Sequence, residues 1–157
     1  MLEPYSSKNI NLHAEALCKI QFDKKYIEFL RNFPRLYSLE DCYAYEKISK
    51  FVILCYYYNE TFVGMTFIDF LMYGQAECGG FVLPEFLGQK YSSKMALEIE
   101  EYLKSRNIRK VRMHIINSNK ILKDFSIKFG FIEKCILEKN TMISGEYVDE
   151  CYLEKFI

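Results

Sequence analysis

The segment with the clearest chemical potential is the loop that leads into a long helical pattern, FVLPEFLGQKYSSKMALEIEEYLKS, at residues 81–105. The first N–H groups of a helix have no partner inside the helix, and the helix dipole adds about half a positive charge at that end. Gly88 allows a ligand to approach the backbone closely, and Lys90, Ser92 and Ser93 add charge or donors. The segment therefore predicts an anion site suited to phosphate, although serine and lysine also begin many helices that bind no ligand.

Hydrophobic periodicity predicts the elements that position this loop. Three β-prone runs follow one another and predict an antiparallel meander, and a strand–helix–strand unit predicts a parallel pair with a right-handed crossover. The predicted strands are 2–5, 51–58, 61–73 (with a bend near Gly64), 75–83, 110–116, 131–139 and 146–154, and the predicted helices lie within 11–33 and at 39–48, 89–106 and 120–129.

This order of elements predicts an α+β fold, in which a mixed and mostly antiparallel sheet has helices on both faces. The strand–helix–strand unit spans residues 75–116 and supplies the parallel pair. Because the antiparallel and parallel parts meet beside the loop, we expect a ligand crevice there.

Charge and cysteine usage narrow the possible functions. The chain has 157 residues, which suits one domain, and its 21 basic residues balance 21 acidic ones. A net charge of zero argues against a general nucleic-acid or membrane-surface binder. Its six cysteines lie scattered through apolar runs, which predicts free thiols in a reducing compartment and no metal site. With no signal-peptide pattern and no long apolar run, we expect a cytoplasmic protein.

Three stretches resemble the GNAT superfamily of N-acetyltransferases. GGFVLPEFLGQKYSSKMALEIEEYL resembles its coenzyme-binding strand, loop and helix, and NKILKDFSIKFGF at 119–131 resembles its N-x-x-(S/A)-x-x-x-(Y/L)-x-x-x-G-F helix. GFIEKCILEKNTMISGEYVDECYLEK at 130–155 is similar to the closing strands of the ribosomal-protein and polyamine acetyltransferase branch. The resemblance covers roughly residues 50–157 and implies a GNAT fold, whose sheet is splayed in the middle.

The resemblance also implies that acetyl-CoA is the co-substrate and that a primary amine, small molecule or peptide, attacks its thioester directly. It divides one domain, 1–157, into variable acceptor-side helices (1–50), an acetyl-CoA-binding core (51–130) and closing strands (131–157). The coenzyme-binding residues that it implies are Phe81, Val82, Leu83, Gly88, Gln89, Lys90, Tyr91, Ser92, Ser93, Asn119 and Phe125. Asn119 is equally well explained as a helix N-cap, which is compatible with coenzyme binding, and a core position is the plainer interpretation of Phe125.

Four departures from the family pattern bear on the chemistry. Leu87 stands where the family has Arg or Gln, and Lys90 and Ser92 replace small loop residues. Ser126 takes the position of a tyrosine that protonates the departing thiolate in many members. These departures keep open a second hypothesis, a catalytically inactive GNAT-fold protein that acts as a binding or interaction module.

An amine with a pKa near 10.4 is mostly protonated at neutral pH, so the reaction requires a base. Glu77 is the predicted catalytic base, with Asp69 and Tyr73 as weaker candidates; a solvated carboxylate is the plainer interpretation of Glu77. His114 alternates with Lys110 and Arg112, which predicts a polar or helix-covered face, and we expect His13 on the surface of the first helix.

The acceptor pocket has no specific motif. It is expected within residues 5–50, and tyrosines at 37, 43, 45 and 56–58 line either this pocket or the core. The resemblance also implies a homodimer, because the closing strands of this fold often contribute to dimers.

Overall fold

The computed structural model describes residues 1–5, 9–20, 38–48, 50–143 and 145–157. Within these ranges the chain forms one mixed α+β sheet with helices on both faces. The strands are β1 (Leu2–Pro4), β2 (Val52–Tyr58), β3 (Thr61–Leu71), β4 (Gln75–Val82), β5 (Lys110–Ile116), β6 (Ile132–Ile143) and β7 (Glu146–Phe156), and the helices are α1 (Ile10–Ile20), α2 (Leu39–Ile48), α3 (Tyr91–Ser105) and α4 (Lys120–Lys128), with a short 3₁₀ turn at Pro84–Phe86.

The sheet order is β1-β2-β3-β4-β5-β7-β6, and its one parallel pair among the described strands is β4–β5. Pairing between these two strands covers Gln75–Glu77 on β4 and Lys110–Arg112 on β5. Both strands continue past this contact, β4 to Val82 and β5 to Ile116, so the sheet splays open in its middle. The predicted parallel unit and splay are confirmed.

The two faces of the sheet bury different helices. Helices α1 and α2 pack on one face around Leu17, Cys42, Ile53 and Phe81. We call this the acceptor face, after the acceptor-side helices predicted within residues 1–50. Helix α3 packs on the other face, which we call the cleft face, through Leu103, Ile99 and Met95. Alternation along β4 accordingly places Ala76, Cys78 and Val82 on the cleft face, and Glu77, Gly79 and Phe81 on the acceptor face.

The prediction of a surface position for His13 is wrong. Its side chain is fully buried, with Nδ1 2.9 Å from the Tyr5 carbonyl oxygen and Nε2 2.7 Å from the Tyr57 hydroxyl. Position 13 lies one turn before Leu17 on the buried stripe of α1, so its spacing outweighs its polarity. Both ring nitrogens have partners, which offsets the cost of burying the imidazole.

Element boundaries differ modestly from the prediction. Helix α3 begins at Tyr91, two residues later than expected, because Gly88 and Lys90 take left-handed backbone conformations. Strand β6 continues to Ile143. The register shift between Tyr56 and Tyr57 lies opposite Gly64, where a bend was predicted. The predicted helical pattern at 21–33 and the tyrosines at 37 and 45 fall outside the described residues or side chains.

Among the residues that the structure describes, no helix is both long enough and apolar enough to cross a membrane. All six cysteines are free thiols, as predicted.

Candidate functional site

A cavity of about 750 Å³ opens on the cleft face where β4 and β5 separate. Helix α3 forms one wall and α4 the other, and the floor is the splayed sheet. Apolar side chains dominate the lining, among them Met95, Ile99, Leu103 and Phe129. Met95, Ile99 and Leu103 recur at helical spacing in the sequence, and this spacing indicates burial but not which neighbour they face.

The edge of β4 that borders this cavity offers backbone groups to a ligand. Leu83 donates its N–H to Val63 on β3 at 2.8 Å, so alternate residues of β4 point their N–H and C=O groups toward β3. The residues between them, Gly80 and Val82, then point theirs toward the opening beside β5. An extended ligand in the cleft could therefore hydrogen-bond to β4 as an additional strand would.

The loop before α3 brings several backbone N–H groups to one end of the cavity. Gly88 has φ +77° and Lys90 has φ +64°, both in the left-handed region. The intervening Gln89 donates its side-chain amide to the Glu85 carbonyl at 2.9 Å, which holds the loop against the preceding 3₁₀ turn. This alternation makes a concave arrangement of N–H groups ahead of the positive end of the 15-residue helix, the usual form of a phosphate site.

The predicted coenzyme-binding residues divide into two groups. Six of them line the cavity: Phe81, Val82, Gly88, Ser92, Asn119 and Phe125. The other five, Leu83, Gln89, Lys90, Tyr91 and Ser93, belong to the strand end, the loop and the first turn of α3. Tyr91 packs edge-on against Tyr58, with ring centroids 5.2 Å apart.

On the α4 wall, Asn119 is the N-cap of its helix, because its Oδ1 accepts the Leu122 N–H at 3.1 Å. Its amide nitrogen can still donate into the cavity that it lines. Phe125 stacks on Phe129 with centroids 5.2 Å apart. Ser126 is buried and donates its hydroxyl to the Leu122 carbonyl at 2.9 Å, a contact within its own helix.

Cys78 lies in the lining of the cavity, close to the splay. Burial, followed by the charge of Glu77, raises the pKa of its thiol to about 12. A thiol with that pKa stays protonated near neutral pH, so Cys78 is a poor nucleophile.

The acceptor face at the same splay is polar. Glu77, the predicted base, lies directly opposite Asp69 on β3 and Arg112 on β5, at the last paired position before the opening. Asp69 forms an ion pair with Lys50 at 2.5 Å. Tyr73, a weaker candidate, is 88% exposed in the β3–β4 turn, at the far end of β4 from the splay.

The sequence analysis predicted a polar or helix-covered face for His114 but missed its partners on β7. His114 Nδ1 lies 3.4 Å from Oε2 of Glu150, a carboxylate only 2% exposed, and the His114 ring packs against Tyr152 with centroids 5.0 Å apart. Tyr152 donates to Glu154 at 2.5 Å, and Lys110 donates to the same carboxylate at 2.8 Å. The signal was the alternation of polar residues in KVRMHII and DECYLEK, which places them on one face once β5 pairs with β7.

The tyrosines proposed for an acceptor pocket belong mostly to the core. Tyr56 packs with Val63, Val82 and Met95, and Tyr57 is buried beside His13. Tyr43 is partly buried against the α1–α2 core.

The family model described as "Acetyltransferase (GNAT) family" matches residues 14–131. No curated protein matches the chain in sequence. Solved structures match it closely in fold. The ribosomal-protein-alanine N-acetyltransferase from Brucella melitensis has a TM-score of 0.79 and 16% identity, covering 100% of this chain and 99% of that one.

Two further solved structures are similar to the chain in fold. The spermidine N-acetyltransferase from Vibrio cholerae, in complex with CoA and spermine, has a TM-score of 0.85 and 13% identity, covering 99% of this chain and 94% of that one. An N-acetyltransferase from Staphylococcus aureus Mu50 has a TM-score of 0.77 and 13% identity, covering 99% and 97%.

Proposed function

Since the chain belongs to the acetyltransferase (GNAT) family, an enzyme family that uses acetyl-CoA, we propose that it transfers the acetyl group to a primary amine by direct attack. The observation that carries this proposal is the splay between β4 and β5, which opens a cleft on one face and a polar surface on the other. A ligand in the cleft and an amine on the acceptor face would meet through the opening.

The cleft residues fit acetyl-CoA in size and chemistry. A cavity of about 750 Å³ lies within the usual range for cofactor sites, and its apolar walls suit a pantetheine chain. The β4 edge and Asn119 offer amide partners to that chain, and we expect the N–H groups from Gly88 to Ser93 to bind the pyrophosphate. Lys90 adds a positive charge in place of a loop glycine. When bound, acetyl-CoA supplies an activated acyl group.

The chain's own residues then position the reactants and handle protons. The N–H groups of Gly80 and Val82 can stabilise negative charge on the acyl oxygen. A base on the acceptor face must take a proton from the ammonium, and Glu77 is the candidate predicted from the sequence. Direct attack is favoured over an acetyl-cysteine route because Cys78 keeps its proton at neutral pH.

The acceptor is proposed to be a small-molecule or peptide amine. The neighbours in fold are named for a ribosomal-protein alanine and for spermidine, so these two amine classes are the first to test. On the acceptor face the four carboxylates Asp69, Glu77, Glu150 and Glu154 outnumber the three cations Lys50, Lys110 and Arg112, and this small excess of negative charge favours a cationic substrate near the splay.

The test begins with calorimetric titration of acetyl-CoA and, as a control, of pantetheine, which lacks the nucleotide. We expect saturable binding that requires the nucleotide and weakens in Asn119→Ala. Product formation is then followed by mass spectrometry with spermidine and with an alanine-initiated peptide. Absence of binding at millimolar acetyl-CoA, by a protein shown to be folded, would contradict the proposal.

We also propose a homodimer and a cytoplasmic location. Strand β6 is an edge strand with exposed Ile132, Ile136 and Met142, so a second copy could pair along it. Sedimentation equilibrium of wild type and Ile136→Lys tests this pairing. The free cysteines suit a reducing compartment.

A further inference from the structure

His114 stands beside the opening of the sheet. The last β4–β5 pair is Glu77 with Arg112, and two residues further along each strand come Gly79 and His114, on the same acceptor face. A Cβ built on Gly79 would have no heavy atom within 4 Å among the described residues. The position facing His114 is therefore open, whereas Glu77 lies where the strands are still paired.

Glu150 contacts the His114 ring at Nδ1. Its carboxylate is 2% exposed, lies 3.4 Å from His114 Nδ1, and accepts a hydrogen bond from Asn140 Nδ2 at 2.7 Å. A carboxylate beside Nδ1 favours the tautomer with the proton on Nδ1, which makes Nε2 the basic nitrogen. The imidazolium that forms when Nε2 accepts a proton is stabilised by the same carboxylate.

The neighbouring titratable groups are less suited to this task. Burial and the hydrogen bond to Glu154 raise the pKa of Tyr152 to about 12, so Tyr152 stays protonated and donates. The Lys110 ammonium and the Tyr152 hydroxyl hold the pKa of Glu154 below its usual range. Arg112, which also faces this group at 4.0 Å from Glu154, is always charged.

We propose that His114, oriented by Glu150, is a catalytic residue that takes the first proton from the acceptor ammonium at the splay. This assignment rests on the proposed function, and it leaves Glu77 to attract the cation. The substrate RNH₃⁺ loses one proton to His114 Nε2 and becomes RNH₂. The amine nitrogen then bonds to the acetyl carbon, and the carbon–sulfur bond breaks with its electron pair on sulfur. The second amine proton goes to that sulfur and gives the thiol, and His114 returns its proton to solvent.

The kinetic test compares His114→Ala, Glu77→Gln and wild type, with whichever of spermidine and the alanine-initiated peptide is acetylated. We expect kcat/KM for the amine to fall about 10²- to 10⁴-fold in His114→Ala, while calorimetric acetyl-CoA affinity is unchanged. The acid limb of the wild-type pH profile should disappear in this variant and persist in Glu77→Gln. Added imidazole should restore part of the rate in His114→Ala, a rescue that a merely structural role would not allow. An acid limb retained in His114→Ala, with no rescue, would overturn the assignment.

A spectroscopic test does not depend on turnover. The chain has two histidines, so ¹⁵N-histidine spectra of wild type and His114→Gln identify the His114 signals by difference. We expect Nδ1–H and an unprotonated Nε2 at alkaline pH, protonation at Nε2 on acidification, and loss of the tautomer preference in Glu150→Gln. A proton resident on Nε2 at alkaline pH would contradict the proposal even if no amine is turned over. Failure of acetyl-CoA to bind would instead contradict the proposed function.

Discussion

At the splay, the cleft face of the sheet is apolar and the acceptor face is polar. On the cleft face, Met95, Ile99 and Leu103 of α3 both line the cavity and pack in the core. On the acceptor face, β5 and β7 present polar pairs near the splay, Lys110–Glu154 and His114–Glu150.

This difference determines which substitutions each face tolerates without loss of the fold. The wall of the cleft is also the hydrophobic core, so a substitution there alters stability and coenzyme binding together. At the splay, the acceptor-face side chains of β5 and β7 form polar pairs outside the α1–α2 core, so substitutions there should alter chemistry and specificity with a smaller loss of stability.

The largest expected effect tests whether the cleft wall is the core. Leu103 is 1% exposed and lines the cavity, so Leu103→Ala should lower the free energy of unfolding by about 3 kcal/mol and weaken coenzyme A binding as well. Leu97 lies on the same helix but is 58% exposed, so Leu97→Ala should change stability by about 0.5 kcal/mol or less. Urea unfolding and calorimetry of both variants measure this, and similar losses in the two would contradict the distinction.

Two adjacent glycines of β4 provide a second test of the difference between the two faces. A Cβ on Gly80 would lie 2.4 Å from the Met65 carbonyl oxygen, so Gly80→Ala must displace backbone and should cost about 2 kcal/mol. Gly79→Ala should leave stability near wild type, since its Cβ meets nothing within 4 Å among the described residues, but it should raise KM for the amine. Thermal unfolding measures the loss of stability, and initial rates measure KM for the amine. Equal melting temperatures for Gly80→Ala and Gly79→Ala would contradict the predicted difference in stability.

Lys90 tests the phosphate end of the cleft, with a smaller effect. Its φ of +64° suits glycine, so Lys90→Gly should retain or slightly raise stability while it removes the charge. Lys90→Gln keeps the Cβ and removes only the charge. Both should weaken coenzyme A binding about 5-fold, or about 1 kcal/mol, and make it less sensitive to salt. A loss in Lys90→Gly alone would show that backbone conformation, and not charge, matters there.

Much of this arrangement could be predicted from the sequence because local patterns encode it. The apolar stripe of α3, the loop with Gly88 and the cap at Asn119 are each set by neighbours a few residues away. The acceptor face could not be predicted in the same way. His114 and Glu150 are 36 residues apart, and they meet only because β5 pairs with β7.

The misplacement of His13 has the same origin. Its partners, Tyr5 on one side and Tyr57 on the other, are supplied by the chain end and by β2, so nothing local marks the histidine as satisfied. Polar residues buried by long-range pairing are therefore the ones that sequence patterns place least well.

The smallest effect is expected at two carboxylates, one on each face, that each accept hydrogen bonds from two side chains. The pKa of Glu154 is held low first by Lys110 and then by Tyr152, and that of Glu100 first by Lys104 and then by Lys155. A carboxyl whose pKa is lower in the folded state stabilises the fold above its unfolded pKa, about 4.3, and this contribution is lost as pH falls through the folded value.

Glu154→Gln and Glu100→Gln should therefore each lower stability at pH 7 by at most about 1 kcal/mol and flatten its decline in acid. We expect the larger change for Glu154, because its first partner Lys110 is 19% exposed, whereas Lys104, the first partner of Glu100, is 51% exposed and its ion pair is screened by water. Urea unfolding across the acid range measures both slopes, with Glu101→Gln, an exposed carboxylate of α3, as the control for charge. If both variants keep the wild-type slope, these ion pairs do not stabilise the fold, and the acceptor face would then be polar for the sake of its chemistry alone.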